Sequence, residues 1–297
     1  MYWCRLFITV VALGLSGCVF VAPPRAHDPK NVAKACADKA LRFEEPNRKG
    51  LNILLAIDGH LYTSYAIAAM AGYKGKRLLT LAYFSQYPDI DPDYDARFAS
   101  FRFFLLLPGY AGWHNTVNGM LHSLHGGDQI EIDRRRAAIQ RALASTLKDP
   151  NQDWMSGLLI HAYGDAYVHT KGTYKTGQEE AYGRVFGHAW DYLMGNDPDG
   201  IKNPVTEPKY LAYVDELYHL LDSKYPPDRP DDDLEDFKEQ IKKMQCEVGK
   251  CPIVHAVSNL NPETSQNQLD VFAACMTQAT RLLPHEIEKA MSLIKND

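Results

Sequence analysis

Apolar residues recur at helical spacing along almost the whole chain beyond residue 50, and period-2 alternation is scarce. Stripes of that kind are buried by packing helix against helix, so the expected fold is all-α, a single multi-helix domain. Helices are expected over about 60–73, 76–86, 130–147, 153–169, 178–194, 208–223, 234–246 and 265–296. Pro284 should break the last of these into two. Asp231, Asp232 and Asp233 precede the helix beginning at 234, where carboxylates suit the positive end of the helix dipole. No internal repeat and no low-complexity tract interrupts this pattern.

The first residues have a different character. Arg5 is followed by an apolar run over 6–15, and Leu15-Ser16-Gly17-Cys18 matches the site cut by the lipoprotein signal peptidase. Small residues precede such a cut, and the thiol after it carries the lipid. Residues 1–17 are therefore expected to be a signal peptide, with Cys18 lipidated and 18–49 forming a tether and a charged lead-in to the domain at 50–297. The rival, a spanning helix, would need ~17–25 apolar residues, and this stretch is at the short edge of that range. Val19 after the cysteine points to an outer membrane, with the protein facing the periplasm. Loss of Arg5 with the signal moves the formal net charge from −5 to −6. That balance offers nucleic acid no global attraction.

Four cysteines remain besides Cys18: Cys36, Cys246, Cys251 and Cys275. An even count in an oxidising compartment suggests two disulfides, for which three pairings exist. The short loop favours Cys246–Cys251, which leaves Cys36–Cys275 to join the N-terminal segment to the C-terminal helix.

Chemistry concentrates in the segment 153–170. Its apolar stripe runs through Trp154 and Leu158 to positions 161, 165 and 168, but His161 and Asp165 occupy two of those buried places, and His169 lies one turn on. Residues at i, i+4 and i+8 share a face, so the three side chains converge. Burying a carboxylate and two imidazoles is costly without compensation, and a divalent metal supplies it. A lone His-x-x-x-Asp more often forms a hydrogen-bonded pair that only stabilises packing. Here further candidates surround it. Asp58 and His60 sit where one apolar run becomes another, Asp89 begins an acidic loop that continues to Asp91, and His188 and Asp191 lie three residues apart near a helix end. His114, His122 and His125 fall in a stretch rich in Gly and His. So many together in an apolar helical scaffold favour a multi-metal site.

This plan of an early His, an Asp, a His-x-x-x-Asp helix and a later His/acid pair resembles zinc-dependent phospholipase C and the related single-strand nucleases. Ser85-Gln86-Tyr87-x-Asp89 and Gly187-His188-Ala189 look closer to an uncharacterised bacterial branch of that superfamily. The likeness covers roughly residues 60–199. It implies two or three zinc ions held by His60, Asp89, His161, Asp165, His169, His188 and Asp191, with one histidine among His114, His122 and His125. Asp197 or Asp199 is an alternative to Asp191, because the family spaces that pair one residue wider. It also implies phosphoester hydrolysis, with Asp89 orienting or deprotonating the attacking water. The family commonly uses the mature N-terminal Trp as a ligand through its free amine. No Trp begins the mature chain here, and Asp58 is the possible substitute.

The resulting expectation is a membrane-anchored, phospholipase C-like hydrolase whose protein partner, if any, is not legible. The competing expectation is a non-catalytic envelope lipoprotein that binds or neutralises a partner, its metal structural or absent. A zinc protease or a serine esterase finds no support, since neither His-Glu-x-x-His nor Gly-x-Ser-x-Gly occurs.

Overall fold

The computed structural model describes residues 28–42, 58–104, 110–187, 198, 200–222, 232–244, 253 and 264–294, with the backbone alone at 58 and 102–104. Helices account for 72% of the described residues and the sheet has two strands, so the fold is all-α and a single domain. In order come α1 (Pro29–Leu41), a π-helical turn (Asp58–Tyr62), α2 (Thr63–Met70), α3 (Gly75–Ile90), α4 (Ala96–Phe104) and α5 (Tyr110–His114). A second π-helical turn (Asn115–Leu121), α6 (Gln129–Thr146), a 3-10 turn (Pro150–Gln152) and α7 (Asp153–Val168) follow. The strands β1 (Thr170–Lys171) and β2 (Glu180–Ala181) lead to α8 (Glu207–Asp222), α9 (Asp232–Lys243), α10 (Gln266–Ala279) and α11 (Pro284–Ser292).

Helices α3 and α7 form the centre. Arg77 near the start of α3 pairs with Asp153 at the start of α7 at 2.8 Å, and Asp89 near the end of α3 lies beside Asp165 and His161. The two helices therefore run the same way, and their C-terminal halves face each other. Gly157 permits their close approach, because a Cβ there would fall 2.5 Å from the Phe84 Cβ and 3.0 Å from the Leu81 carbonyl oxygen. Both faces of α7 are buried, with Leu158, Leu159, Ile160 and Tyr163 in the core.

Helix α1 is part of the packed unit. Ala33, Cys36, Ala37 and Ala40 bury its inner face, and a disulfide joins Cys36 to Cys275 on α10. The pairing expected for these two cysteines is thus present, while Cys246, Cys251 and Cys18 lie outside the described residues. Pro284 opens α11 after a break, as expected.

The helix expected over 178–194 is not found where the chain is described. Residues 178–187 form β2 and turns instead, and 188–194 lie outside the described residues. The backbone there is committed elsewhere: Ala181 N donates to Gly127 O at 2.9 Å and Tyr182 N to His169 O at 3.1 Å. Glu179 is drawn inward to Arg136 at 2.9 Å. The helix expected from residue 60 begins as a π-helical turn, and α3 runs past its expected end through Pro88 to Ile90.

Candidate metal centre

The inner face of α7 carries His161 and Asp165, and His169 caps its C-terminus. Two π-helical turns add His60 and His122: the first contains His60, and the second ends where His122 caps it. An i→i+5 turn accommodates an extra residue and redirects its side chain, which is why such turns gather at functional sites. Asp89 comes from the last turn of α3. Side chains from four elements thus meet at the end of the α3–α7 pair.

His122 Nδ1, His161 Nε2 and one oxygen of Asp165, Oδ2, form a triangle with sides of 3.1, 3.2 and 3.2 Å. The other Asp165 oxygen, Oδ1, lies 3.1 Å from His60 Nε2. Asp89 stands slightly back, with Oδ1 3.9 Å from His122 Nδ1 and 4.0 Å from His161 Nε2, and Oδ2 3.9 Å from His60 Nε2. His169 Nδ1 donates to the His122 carbonyl at 2.8 Å and lies 3.5 Å from Asp165 Oδ2. Two groups here could hold a metal ion: His60, Asp89 and His161, and His122, His161 and Asp165.

Outer hydrogen bonds decide what the inner nitrogens present. His161 Nδ1 faces the Ser85 carbonyl oxygen at 2.9 Å, and His122 Nε2 faces the Tyr94 carbonyl oxygen at 2.9 Å. A carbonyl only accepts, so each of those nitrogens carries its proton. In the neutral rings, His161 Nε2 and His122 Nδ1 are then both bare, and two lone pairs oppose each other at 3.1 Å beside a carboxylate. Such an arrangement demands a positive charge at its centre, either a proton or a metal ion. His60 Nδ1 is also buried and meets no hydrogen-bond partner among the described residues.

Charge follows the same geometry. Burial alone would raise the Asp165 carboxyl, but His169, His161 and His122 outweigh it and hold the group well below the usual carboxylate range. Burial likewise works against protonation of His60 and His122, yet the hydrogen bond and charge of Asp165 raise both above the usual imidazole value. At His161 burial prevails over the pull of Asp165 and the ring is lowered. His161 and Asp165 are closed off from solvent, whereas the Asp89 side chain is 38% exposed and marks the mouth of the cluster.

Of the residues singled out in the sequence, His60, Asp89, His161, Asp165 and His169 come together here. Among the three histidines left open, His122 joins them. His114 lies buried at the end of α5, its ring lowered chiefly by burial, and His125 bonds the neighbouring Gly126 carbonyl with its ring lowered to about 4, again chiefly by burial. Neither belongs to the two groups. Asp58 opens the first π-helical turn, its side chain not described, while His188, Asp191 and the alternatives Asp197 and Asp199 lie outside the described residues. Tyr83, Phe84 and Tyr87 pack in the core. The acidic run after Asp89 is already satisfied: Asp91 accepts from the Tyr87 hydroxyl, Asp93 pairs with Arg281, and Asp95 pairs with Arg97. Sequence reasoning named Gln86 in the motif that ends at Asp89 but missed its role: it donates to Asp89 Oδ2 at 3.1 Å. Its place in the Ser85-Gln86 pair was the available signal.

No family model, curated protein or solved structure matches the chain. The donor set of the site carries its chemistry. Its imidazole nitrogens and carboxylate oxygens suit a divalent cation of borderline softness. Among the described residues no helix is long and apolar enough to cross a membrane.

Proposed function

We propose that this chain is a zinc-dependent phosphoester hydrolase, similar in its centre to phospholipase C-like enzymes. The observation that carries the proposal is the triangle of His122 Nδ1, His161 Nε2 and Asp165 Oδ2, with both outer ring nitrogens fixed as donors. Ligands ~2.0–2.1 Å from a tetrahedral zinc are about 3.3 Å from one another, close to the sides of this triangle. Three protein ligands with the next group standing back is the pattern of a catalytic rather than a structural zinc. His60 and Asp89, which with His161 form the other group, would contribute to the site of a second ion beside the first.

Zinc held there would supply an acidified water, with a pKa near ~7, and neutralise charge on phosphoryl oxygens. The chain's own part is then clear. Asp89, exposed at the mouth, receives the proton of the attacking water and orients it toward phosphorus. His161 and His122 are locked in one tautomer by the Ser85 and Tyr94 carbonyls, so neither ring must turn during turnover. Lipidation of Cys18 would place the enzyme beside phospholipid, at an outer membrane facing the periplasm, and favours a headgroup phosphodiester over nucleic acid.

Metal analysis of protein purified without chelator tests this first. Bound zinc and chelator-sensitive hydrolysis of a chromogenic phosphodiester or a phosphorylcholine ester are expected. Protein that contains no divalent ion, and takes up none on dialysis, would sink the reading. A second reading, a non-catalytic envelope lipoprotein, draws support from the want of a free amino-terminal ligand in a lipidated chain. Stoichiometric zinc without turnover on either ester would favour it.

A further inference from the structure

The peptide unit joining His60 to Leu61 is gripped at both polar edges by adjacent residues of α3. The Ser85 hydroxyl, whose one proton is shared with the Ala82 carbonyl at 2.8 Å, lies 3.2 Å from the His60 carbonyl oxygen, and Leu61 N donates to Gln86 Oε1 at 3.3 Å. The other end of the same amide, Gln86 Nε2, donates to Asp89 Oδ2 at 3.1 Å. That is the carboxylate oxygen which faces His60 Nε2 at 3.9 Å. One buried carboxamide thus touches the backbone beside one candidate ligand and the carboxylate of another, across two elements far apart in sequence.

Only an amide of this length does both jobs. It accepts from a backbone N–H with its oxygen and donates to a carboxylate with its nitrogen, and it carries no charge at any pH relevant to the protein. A glutamate would set a further negative charge against Asp89. A methionine of similar length would fill the space and hold neither group. By donating to one oxygen of Asp89, Gln86 also turns the other, Oδ1, toward His122 and His161.

We infer that Gln86 is a positioning residue that sets the spacing of His60 and Asp89, and with it the affinity of this half of the centre for its ion. The inference rests on the metal-binding reading above. Outer residues that orient metal ligands typically contribute about 10–100-fold to metal affinity.

Zinc affinity of the full chain, measured by competition with a chromogenic chelator, provides the test, with four proteins compared: wild type, Gln86→Met, Asp89→Ala and the double variant. Gln86→Met is expected to weaken one zinc by about 10–100-fold. In the Asp89→Ala background the same change should cost clearly less, because only the hold of Gln86 on the His60–Leu61 backbone is then left to lose. An equal loss in both backgrounds would mean that Gln86 merely supports the fold and would overturn the inference, as would a Gln86→Met protein that binds zinc like wild type. If Gln86→Met does not fold, Gln86→Asn is read in the same way, being one methylene too short to reach Leu61 N and Asp89 together. Absence of zinc binding in the wild-type arm would overturn the metal reading itself, and is seen before any variant is compared.

Discussion

Two buried charged clusters flank the C-terminal half of α7, and they solve the same problem in opposite ways. On the face away from the histidines, Glu179 accepts from Arg136 Nη2 at 2.9 Å and Thr170 Oγ1 at 3.0 Å through one oxygen. Through the other it accepts from Arg136 Nη1 and Gln129 Nε2, both at 3.2 Å. The guanidinium lies over the Tyr167 ring at 4.3 Å, and the buried Lys209 donates to the Thr170 carbonyl at 2.6 Å. Every acceptor in that network meets a donor. In the His/Asp cluster the donors point outward to backbone carbonyls and the lone pairs point inward at one another. Burial of charge is common to both; convergence of acceptors belongs to one. That convergence, more than the residue types, separates a binding centre from a structural network.

The contrast can be broken at its structural pole first. Removing one partner of a buried ion pair leaves the other uncompensated, so Glu179→Ala should lower stability by about 3–5 kcal/mol in urea unfolding. A loss under about 1 kcal/mol would show that Arg136 finds other partners once Glu179 is gone. At the other pole, Asp165→Ala should reduce zinc retention after dialysis by more than about a hundredfold, since its two oxygens face His60 on one side and His122 and His161 on the other. Retention of a full complement of metal by this variant would mean that the converging groups are not the ligands.

Acid sharpens the difference more gently. His60 and His122 are held above the usual imidazole value of about 6.5, so protons compete there with a metal ion. Metal affinity should therefore begin to fall while the pH is still above ~6.5 and decline further below it, with protons released on binding. Calorimetric titration in buffers of different ionisation enthalpy would count them, and a proton-neutral binding event would contradict the assignment. The smallest effect is expected at the acidic run beyond Asp89. Asp93→Asn should change metal content by less than about twofold, because that carboxylate already belongs to Arg281. A clear drop in zinc would enlarge the centre beyond the cluster described.

Much of this centre could be read from residues alone, and the remainder fails for definable reasons. His161 and Asp165 betray themselves by interrupting an apolar stripe at helical spacing, and His60 and Asp89 by their apolar or acidic surroundings. The choice of His122 over His114 and His125 depends on the Tyr94 carbonyl and on Asp165, neither near it in sequence. The π-helical turns are invisible to a 3.6-residue period. The described part, 178–187, of the helix expected over 178–194 shows the same limit: its periodicity is compatible with a helix, but Glu179 and the backbone of Ala181 and Tyr182 have better partners elsewhere. Cys36–Cys275 was legible as a count and a loop length, whereas the Arg136–Glu179 pair left no local trace.

Gly157 gives the centre its calibre. Helix α3 carries Ser85 and Asp89, α7 carries His161 and Asp165, and the two close on each other like jaws whose gap is gauged one turn below the bite. A single added methyl at Gly157 would collide with Phe84 and force the jaws apart. Ligands that touch nothing at position 157 would then drift from the spacing an ion requires. Selection for metal affinity would in that way act on a residue that has no side chain to offer, through the missing bulk that lets the two helices meet.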